Sequence, residues 1–217
     1  KRNSELASAY VSIAWVKHIY EYDWAGAEVN YRRGIELNPN YATAHHWYGI
    51  LLYGTGKEEL AFKILSKAVE LDPSSKIIKC ELAISCYRLN KVDRGIEVID
   101  DALEIDPMFL LALDTKYVQL EAGDLETAIS ISEKAWEQYP DQPGYLRLLF
   151  YLNWKADNRE AALLYLVELL DLHKDTIQRF EIAKIYLTLD EPESAYRWIQ
   201  QGIDDREPLV NHLATDP

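Results

Sequence analysis

The feature that most constrains this chain is a recurrence of about 34 residues. Pro39, Pro73 and Pro107 are each 34 residues apart, and Pro140 follows after another 33. Small residues recur in step with the prolines, at Ala27, Ala61, Gly95, Ala128, Ala162 and Ala195. A second set follows seven residues after the first, at Gly34, Ala68, Ala102, Ala135, Leu169 and Gly202. A fixed period of this length indicates stacked supersecondary units, and the pattern predicts six of them.

Each unit has the pattern of two helices joined by a short turn. In the second unit the two stretches are residues 42–54 and 58–71, separated by Thr55-Gly56-Lys57. The apolar residues of the latter stretch follow helical spacing, at Leu60, Ile64, Ala68 and Leu71. Gly56 suits the left-handed residue that ends a helix, and Pro73 marks the end of the next one.

This pattern predicts an all-α fold, a right-handed superhelical solenoid of six helical hairpins. The small residues allow the two helices of a hairpin to approach closely, and a hairpin alone cannot bury its apolar face, so neighbouring hairpins stack. We predict one domain over residues 1–217, with repeats at about 8–41, 42–75, 76–109, 110–142, 143–175 and 176–208 and a tail at 209–217. Because the chain opens on Lys1 rather than Met, we expect a fragment of a longer protein.

The second unit resembles the tetratricopeptide repeat, whose consensus has 34 residues. The matching residues are Trp47-Tyr48-Gly49, Leu52, Gly56, Ala61, Leu65, Ala68 and Pro73. Units five and six depart from the consensus, since Asp157 and Asp190 stand in place of the turn glycine. Unit four has lost one residue between Pro107 and Gly123, which leaves its register over Leu110–Ala122 open.

A second resemblance concerns the region Tyr22–Gly49. It is similar to the helical repeats attached to bacterial winged-helix transcription regulators and to class III adenylate cyclases. Leu213–Pro217 resembles the start of the tail that closes such regions. The resemblance implies that these repeats are the regulatory part of a bacterial signalling or transcription protein.

Composition excludes several other classes of protein. The formal charge of −13 disfavours a nucleic-acid interface, because such proteins neutralise phosphates with Lys and Arg. The longest apolar run, Ala161–Val167, is too short to cross a membrane. Cys80 and Cys86 lie six residues apart on one predicted helix, too far to bridge, so we expect free thiols and a cytoplasmic protein. If a membrane span lies upstream, a periplasmic location is the alternative.

No residue pattern of catalysis is found, and we predict a protein that is not an enzyme and binds no cofactor or metal. His45 and His46 point about 100° apart on a helix, so we expect one packed ring and one solvated ring. The acidic doublets Glu58-Glu59, Asp100-Asp101 and Asp204-Asp205 are expected on solvated faces.

The resemblance to the tetratricopeptide repeat implies a partner-binding surface on the first helix of each hairpin. In that family, positions 2, 5, 9, 12 and 13 of the repeat line the concave side. The residues that we predict to contact a protein or peptide partner are Val16, Ile50, Tyr53, Ile84, Tyr87, Arg88, Arg147, Tyr151, Trp154 and Lys184. Basic residues outnumber acidic ones at these positions, so we expect a partner with apolar anchors and one or two carboxylates.

Other interpretations of the same positions remain open. Tight winding of the repeats would bury them between neighbouring first helices, and a segment of the same protein or a second copy of the chain would fill the groove. A possible homodimer leads to an alternative function, a dimerisation scaffold that positions attached domains. A clamp for the C-terminal carboxylate of chaperones is not expected, since Ser12, Val16, Ile77 and Glu81 stand where that clamp needs Lys, Asn or Arg.

Overall fold

Helices joined by short turns make up the structure, a computed structural model that describes residues 2–119, 123–174, 177–205 and 207. The described residues divide into two compact units. The N-terminal unit spans residues 2–105, and the C-terminal unit spans residues 106–207. No described residue lies in a β-strand.

The N-terminal unit consists of three helical hairpins. Its helices are α1 (Arg2–Ile19), α2 (Trp24–Leu37), α3 (Ala42–Gly54), α4 (Glu58–Leu71), α5 (Lys76–Arg88) and α6 (Val92–Ile105). The hairpin pairs are α1 with α2, α3 with α4, and α5 with α6. The first helices also pack in a row, α1 against α3 and α3 against α5.

The C-terminal unit repeats this plan with one irregular helix. Its helices are α7 (Leu110–Leu113), α8 (Leu125–Gln138), α9 (Gly144–Lys155), α10 (Arg159–His173), α11 (Arg179–Thr188) and α12 (Pro192–Asp204). After one turn α7 continues as a π-helix over Asp114–Gln119. This irregular helix belongs to the fourth repeat, whose register the sequence left open. The π-helical stretch carries the buried residues Asp114 and Thr115.

Small residues mark the contact between the two helices of each hairpin. Both recurring sets are buried in the second helices, including the one large member, Leu169. At Gly34 a Cβ atom would lie 2.5 Å from a methyl carbon of Val11 and 3.2 Å from the carbonyl oxygen of Ala7. A larger side chain there would push α2 away from α1, so the recurrence of small residues follows from close packing.

Among the described residues, a left-handed backbone occurs in each hairpin turn. Gly56 and Gly123 have φ values of 75° and 100°, and non-glycine residues take this conformation at Tyr22, Asn90, Asp157 and Asp190. After Gly56, Asn90, Asp157 and Asp190, the next N–H donates a hydrogen bond to the carbonyl five residues earlier. This is the Schellman pattern that ends helices. Asn and Asp tolerate the left-handed region, so units five and six form the turn without glycine.

The all-α helical repeat predicted from the sequence is confirmed. The first helix differs from the prediction because it begins at Arg2, six residues before the expected start of the first repeat. The single-domain organisation stays a prediction, and the tail at 209–217 lies outside the described residues.

The turn conformation predicts opposite effects of alanine at two neighbouring glycines. Gly56→Ala should lower the free energy of unfolding by about 1–2 kcal/mol, since a Cβ atom is strained at positive φ. Gly54 is the last residue of α3, and a Cβ atom added there would have no neighbouring atom within 4 Å, so Gly54→Ala should leave stability unchanged or slightly raised. Urea unfolding of both variants checks this, and equal losses would contradict the assignment of the strain to Gly56.

Candidate functional site

The side of the first helices that carries repeat positions 2, 5, 9, 12 and 13 is called here the first-helix face. In the N-terminal unit its position-9 residues are Val16 on α1, Ile50 on α3 and Ile84 on α5. Val16 is exposed, and Ile50 and Ile84 are half-buried. Ile77 and Tyr87, also on this face, are nearly half exposed. The row is therefore neither sealed within the helix layers nor fully solvated.

Tyr53, which the sequence placed among the contact residues, lies inside the N-terminal unit. Only 4% of it is exposed. Its hydroxyl donates a 2.6 Å hydrogen bond to the Oε2 atom of Glu81, which joins α3 to α5. The ring of Tyr53 is thus a packing element between two hairpins rather than an accessible anchor for a partner.

Arg88, expected as a basic residue for a partner carboxylate, is already paired within the unit. Its Nε donates to Oε1 of Glu58 at 2.8 Å, and its guanidinium carbon lies 5.7 Å from the centre of the Tyr53 ring. Glu58 was expected on a solvated face, but its side chain is largely buried against this arginine. The predicted basic character of the face is wrong here, because Arg88 is neutralised by an acid on the preceding hairpin.

Glu81 is a candidate functional residue that was not predicted from the sequence. It occupies position 6 of its repeat, which was not counted as part of the lining. Burial raises the pKa of its carboxyl group to about 7, and the hydrogen bond from Tyr53 offsets only part of that effect. An acidic residue among the apolar and small neighbours Leu82, Ala83 and Ile84 was the available signal.

The C-terminal unit places Arg147 between two acids. Its NH2 lies 3.0 Å from Oδ1 of Asp114, and its Nε lies 3.2 Å from Oε2 of Glu181. The three side chains come from the first helices of three successive repeats, and all are largely buried. Burial alone would lower the pKa of Arg147, but the two carboxylates raise it, and the net shift is upward. This predicted contact residue is therefore a structural cation.

The remaining predicted contacts of the C-terminal unit are aromatic or basic. Tyr151 and Trp154 are half-buried, and both pack against Phe150. Arg159 covers the Trp154 ring at 3.7 Å. Lys184 keeps 37% of its side chain exposed, with its Nζ 3.8 Å from Oε1 of Glu181.

Both histidines of the doublet are withdrawn from solvent. His45 is buried, with its Nε2 atom 2.8 Å from the carbonyl oxygen of Pro39. Burial lowers the pKa of His46 to about 4. The prediction of one solvated ring is therefore wrong, because neither ring is exposed. Cys80 and Cys86 are both buried, and no disulfide joins them, as predicted.

Two other kinds of site are absent from the described ranges. Among those residues, no group of three or more His, Cys, Asp or Glu side chains is arranged to hold a metal ion. No helix over the same part of the chain combines the length and the apolar character that a membrane span requires.

Solved structures of other proteins share this architecture. PilF from Pseudomonas aeruginosa is 15% identical, with 99% of this chain and 98% of that chain covered at a TM-score of 0.65. MamA from Desulfovibrio magneticus RS-1 is 16% identical, covering 78% and 96% at a TM-score of 0.58. YrrB, described as a TPR protein with an unusual peptide-binding site, is 20% identical, covering 77% and 86% at 0.52. At these identities the likeness shows the fold alone.

The fold defines the class of protein, and one of its repeats matches a known family. Helical hairpins with left-handed turns, stacked at a 34-residue period, define an all-α helical repeat protein. Residues 42–75 match the family model described as Tetratricopeptide repeat, so this part of the chain is one such repeat. No curated protein sequence gives a significant match. Repeats of this kind generally serve as non-catalytic surfaces for protein interactions.

The buried charges of the C-terminal unit predict a large effect of removing Arg147. Arg147→Met leaves Asp114 and Glu181 without their shared cation and should lower the free energy of unfolding by about 3–5 kcal/mol. Arg197 is an exposed arginine of the same unit, so Arg197→Met should change stability by less than about 0.5 kcal/mol. Chemical denaturation distinguishes the two, and a similar small change in both variants would refute the structural role of Arg147.

Glu81 predicts a pH-dependent contribution to stability. Its pKa in the folded protein lies above that of an unfolded glutamate, so the folded state binds an extra proton between about pH 4.5 and 7. That stabilisation is complete at low pH and is lost as the pH rises through this window. Relative to the native protein, Glu81→Gln should therefore gain about 1–3 kcal/mol between pH 5 and pH 8.

The lowered pKa of His46 acts in the opposite direction, because it destabilises the folded state as the pH falls from about 6.5 to 4. His46 is present in both the native protein and the Glu81→Gln variant, so its effect cancels in the difference between their stabilities. Urea titrations at the two pH values measure the difference, and parallel pH profiles for Glu81→Gln and the native protein would exclude this role.

Proposed function

We propose that the first-helix face of the N-terminal unit binds a peptide or a partner segment through apolar side chains. The observation that supports this most strongly is the accessible row formed by Val16, Ile50 and Ile84, flanked by exposed Ile77 and Tyr87. Exposed apolar residues that cluster on one face commonly mark an interaction site. Proteins built from this repeat bind other proteins or peptides, and YrrB carries a peptide-binding site according to its description.

The charges near this face favour an apolar partner over an acidic one. Arg88 is paired with Glu58, and the carboxyl group of Glu81 is bonded to Tyr53. The Nζ atom of Lys17 lies 2.6 Å from the Oδ2 atom of Asp23. Since these groups are already satisfied by neighbours, a ligand carboxylate would compete with existing pairs. The N-terminal unit is therefore not expected to prefer a partner with carboxylates. We propose that it selects its partner by the shape of apolar side chains.

The C-terminal unit offers a smaller set of accessible groups. Tyr151 and Trp154 are half-buried, and Lys184 keeps 37% of its side chain exposed. These residues suit a partner that carries one acidic group beside an apolar one, the chemistry that the sequence predicts for the whole chain.

The wider role is proposed on the sequence resemblance alone. It is a non-catalytic regulatory part of a bacterial signalling or transcription protein, in the cytoplasm. The sequence of the complete gene tests this proposal directly. A winged-helix or cyclase domain in the same polypeptide would support it, and an unrelated partner domain would end it.

Selection of peptides tests the binding proposal. Random 12-residue peptides displayed on phage are selected against the immobilised chain, and an enriched peptide is labelled for fluorescence anisotropy. Tyr87→Glu places a charge on the first-helix face and should weaken binding of that peptide at least tenfold. Tyr87 is nearly half exposed, so the helical circular dichroism of the variant should equal that of the native chain.

Val29→Glu is the matched control. Val29 is 67% exposed on α2 and lies opposite the buried residues of that helix, so it is remote from the first-helix face. Binding should be unaffected by this substitution. The proposal fails if no peptide is enriched above an unrelated protein, or if Tyr87→Glu and Val29→Glu bind the selected peptide equally.

A further inference from the structure

Helix α10 exposes a cluster of aliphatic side chains on the side that faces away from its hairpin. The buried residues of this helix are Ala162, Leu166 and Leu169. On the opposite side lie Leu163, Leu164 and Val167, called here the α10 patch, and each is between 45% and 65% exposed. Val167 follows Leu163 by four residues and Leu164 by three, spacings that make side chains neighbours on a helix surface. The three side chains therefore form one continuous apolar patch.

The α10 patch is a departure of the fifth repeat from the other repeats. The residues equivalent to Leu164 in α4, α6, α8 and α12 are Lys63, Glu97, Ser130 and Arg197. Those equivalent to Val167 are Ser66, Asp100, Glu133 and Gln200. All four helices thus have polar side chains where α10 has aliphatic ones. The fifth repeat lies between the fourth and the sixth, so the patch is not a face at the end of the stack.

The exposure of Leu163 has a local cause in the next hairpin. In the second repeat the equivalent residue is Phe62, and the Nζ atom of Lys91 lies 4.1 Å from the centre of its ring. Lys91 immediately precedes helix α6. The residue at that point before α12 is Glu191, whose carboxylate accepts a hydrogen bond from the hydroxyl of Ser194 instead. No lysine side chain is placed there to cover Leu163, so it adds to the accessible patch.

Acidic side chains lie at both ends of the α10 patch. One precedes it by about one turn of the helix and two follow it by one turn, and these are Glu160, Glu168 and Asp171. Each is three or four residues from a member of the patch and is therefore its neighbour on the helix surface. Glu160 and Asp171 are exposed, and Glu168 is half-buried. The apolar surface is thus bounded by negative charge.

The basic residues at the two ends of α10 do not neutralise this negative charge. The Nε atom of Arg159 lies 3.0 Å from Oδ1 of Asp157, and its guanidinium carbon lies 3.7 Å from the centre of the Trp154 ring. Arg159 is therefore already paired with an acid in the hairpin turn. Lys174 follows the last turn of the helix and balances at most one of the three acids.

These features favour a basic amphipathic helix of a partner protein as the occupant of the α10 patch. Its apolar side chains would pack against Leu164 and Val167, because residues three and four apart form the ridges by which two helices pair. Its Lys or Arg side chains would meet the acids at either end of the patch. A second copy of this chain would bring the same acids against each other, and an anionic membrane surface would be repelled by them.

We propose that the α10 patch is a second interaction surface of this chain, one that binds a partner helix whose apolar stripe is flanked by lysine or arginine. The surface extends about 18 Å from Glu160 to Leu172, itself 62% exposed. A contact of this length is small, so the dissociation constant is on the order of micromolar. The proposal goes beyond the first-helix face, because no residue of the patch is among the predicted peptide contacts.

A synthetic peptide tests the proposal on the 217-residue chain. The probe is a fluorescent peptide of about 18 residues, long enough to form a helix, with Leu spaced alternately three and four residues apart and Lys elsewhere. Fluorescence anisotropy should give a dissociation constant in the micromolar range. A peptide of the same composition, with its leucines distributed around the helix, should bind at least tenfold more weakly, which separates the proposed contact from attraction between charges alone.

The double variant Leu164→Ser, Val167→Ser removes the apolar surface without changing the charge and should raise the dissociation constant at least tenfold. Both side chains are more than half exposed, so helicity and melting temperature should match the native chain. Val29→Ser is the matched control, since Val29 is 67% exposed on α2, and it should bind the probe like the native chain. Glu168→Gln should weaken binding by about two- to fivefold, as expected for one exposed charge.

The proposal is overturned if the native chain does not bind the probe, if the control peptide binds as tightly, or if the double variant and Val29→Ser bind equally. Sedimentation equilibrium gives a further test. Self-association of the native chain that the double variant abolishes would identify a second copy as the occupant and would also overturn the proposal. None of these measurements uses a peptide selected for the first-helix face, so the two binding proposals fail or succeed separately.

Discussion

The close contact between the two helices of each hairpin is the constraint on which the rest of this structure depends. Ala27 and Gly34 allow α2 to lie against α1, and equivalent residues recur in every later hairpin. Once each pair is fixed at this distance, the first helices of the N-terminal unit can pack in a row. The first-helix face of that unit is a result of this packing rather than of any single residue on it.

The same packing plan accommodates different chemistry from one hairpin to the next. The first and second repeats meet through the rings of Trp15 and Trp47, which needs only apolar surface. The second and third meet through a hydrogen bond between Tyr53 and a buried carboxyl group. In the C-terminal unit the contact is ionic and centres on Arg147. Such contacts give each junction its own response to pH and to substitution, because ionisable groups contribute to stability differently from apolar ones.

Periodicity made the fold predictable, and side-chain pairing made the site less so. Counterparts of Pro73 and Gly56 occur at fixed intervals along the chain. Such signals are local in sequence, so they predict the hairpins directly. Arg88, by contrast, pairs with Glu58, 30 residues earlier, and nothing in the sequence around either residue indicates the contact. The repeat positions predict which residues line the first-helix face. They do not predict which of its charged side chains are already paired. For that reason the sequence predicts the position-9 row, whereas it does not predict that Arg88 is already paired with Glu58.

The left-handed turn residue has a consequence for how such chains are related to one another. Six residues at regular intervals share the same sign of φ, but only two of them are glycine. The left-handed backbone conformation is kept at Tyr22, Asn90, Asp157 and Asp190, although none of them is the glycine of the family consensus. A comparison keyed to side-chain identity therefore finds one repeat, at 42–75, whereas an alignment anchored on backbone dihedral angles would register every hairpin of the chain.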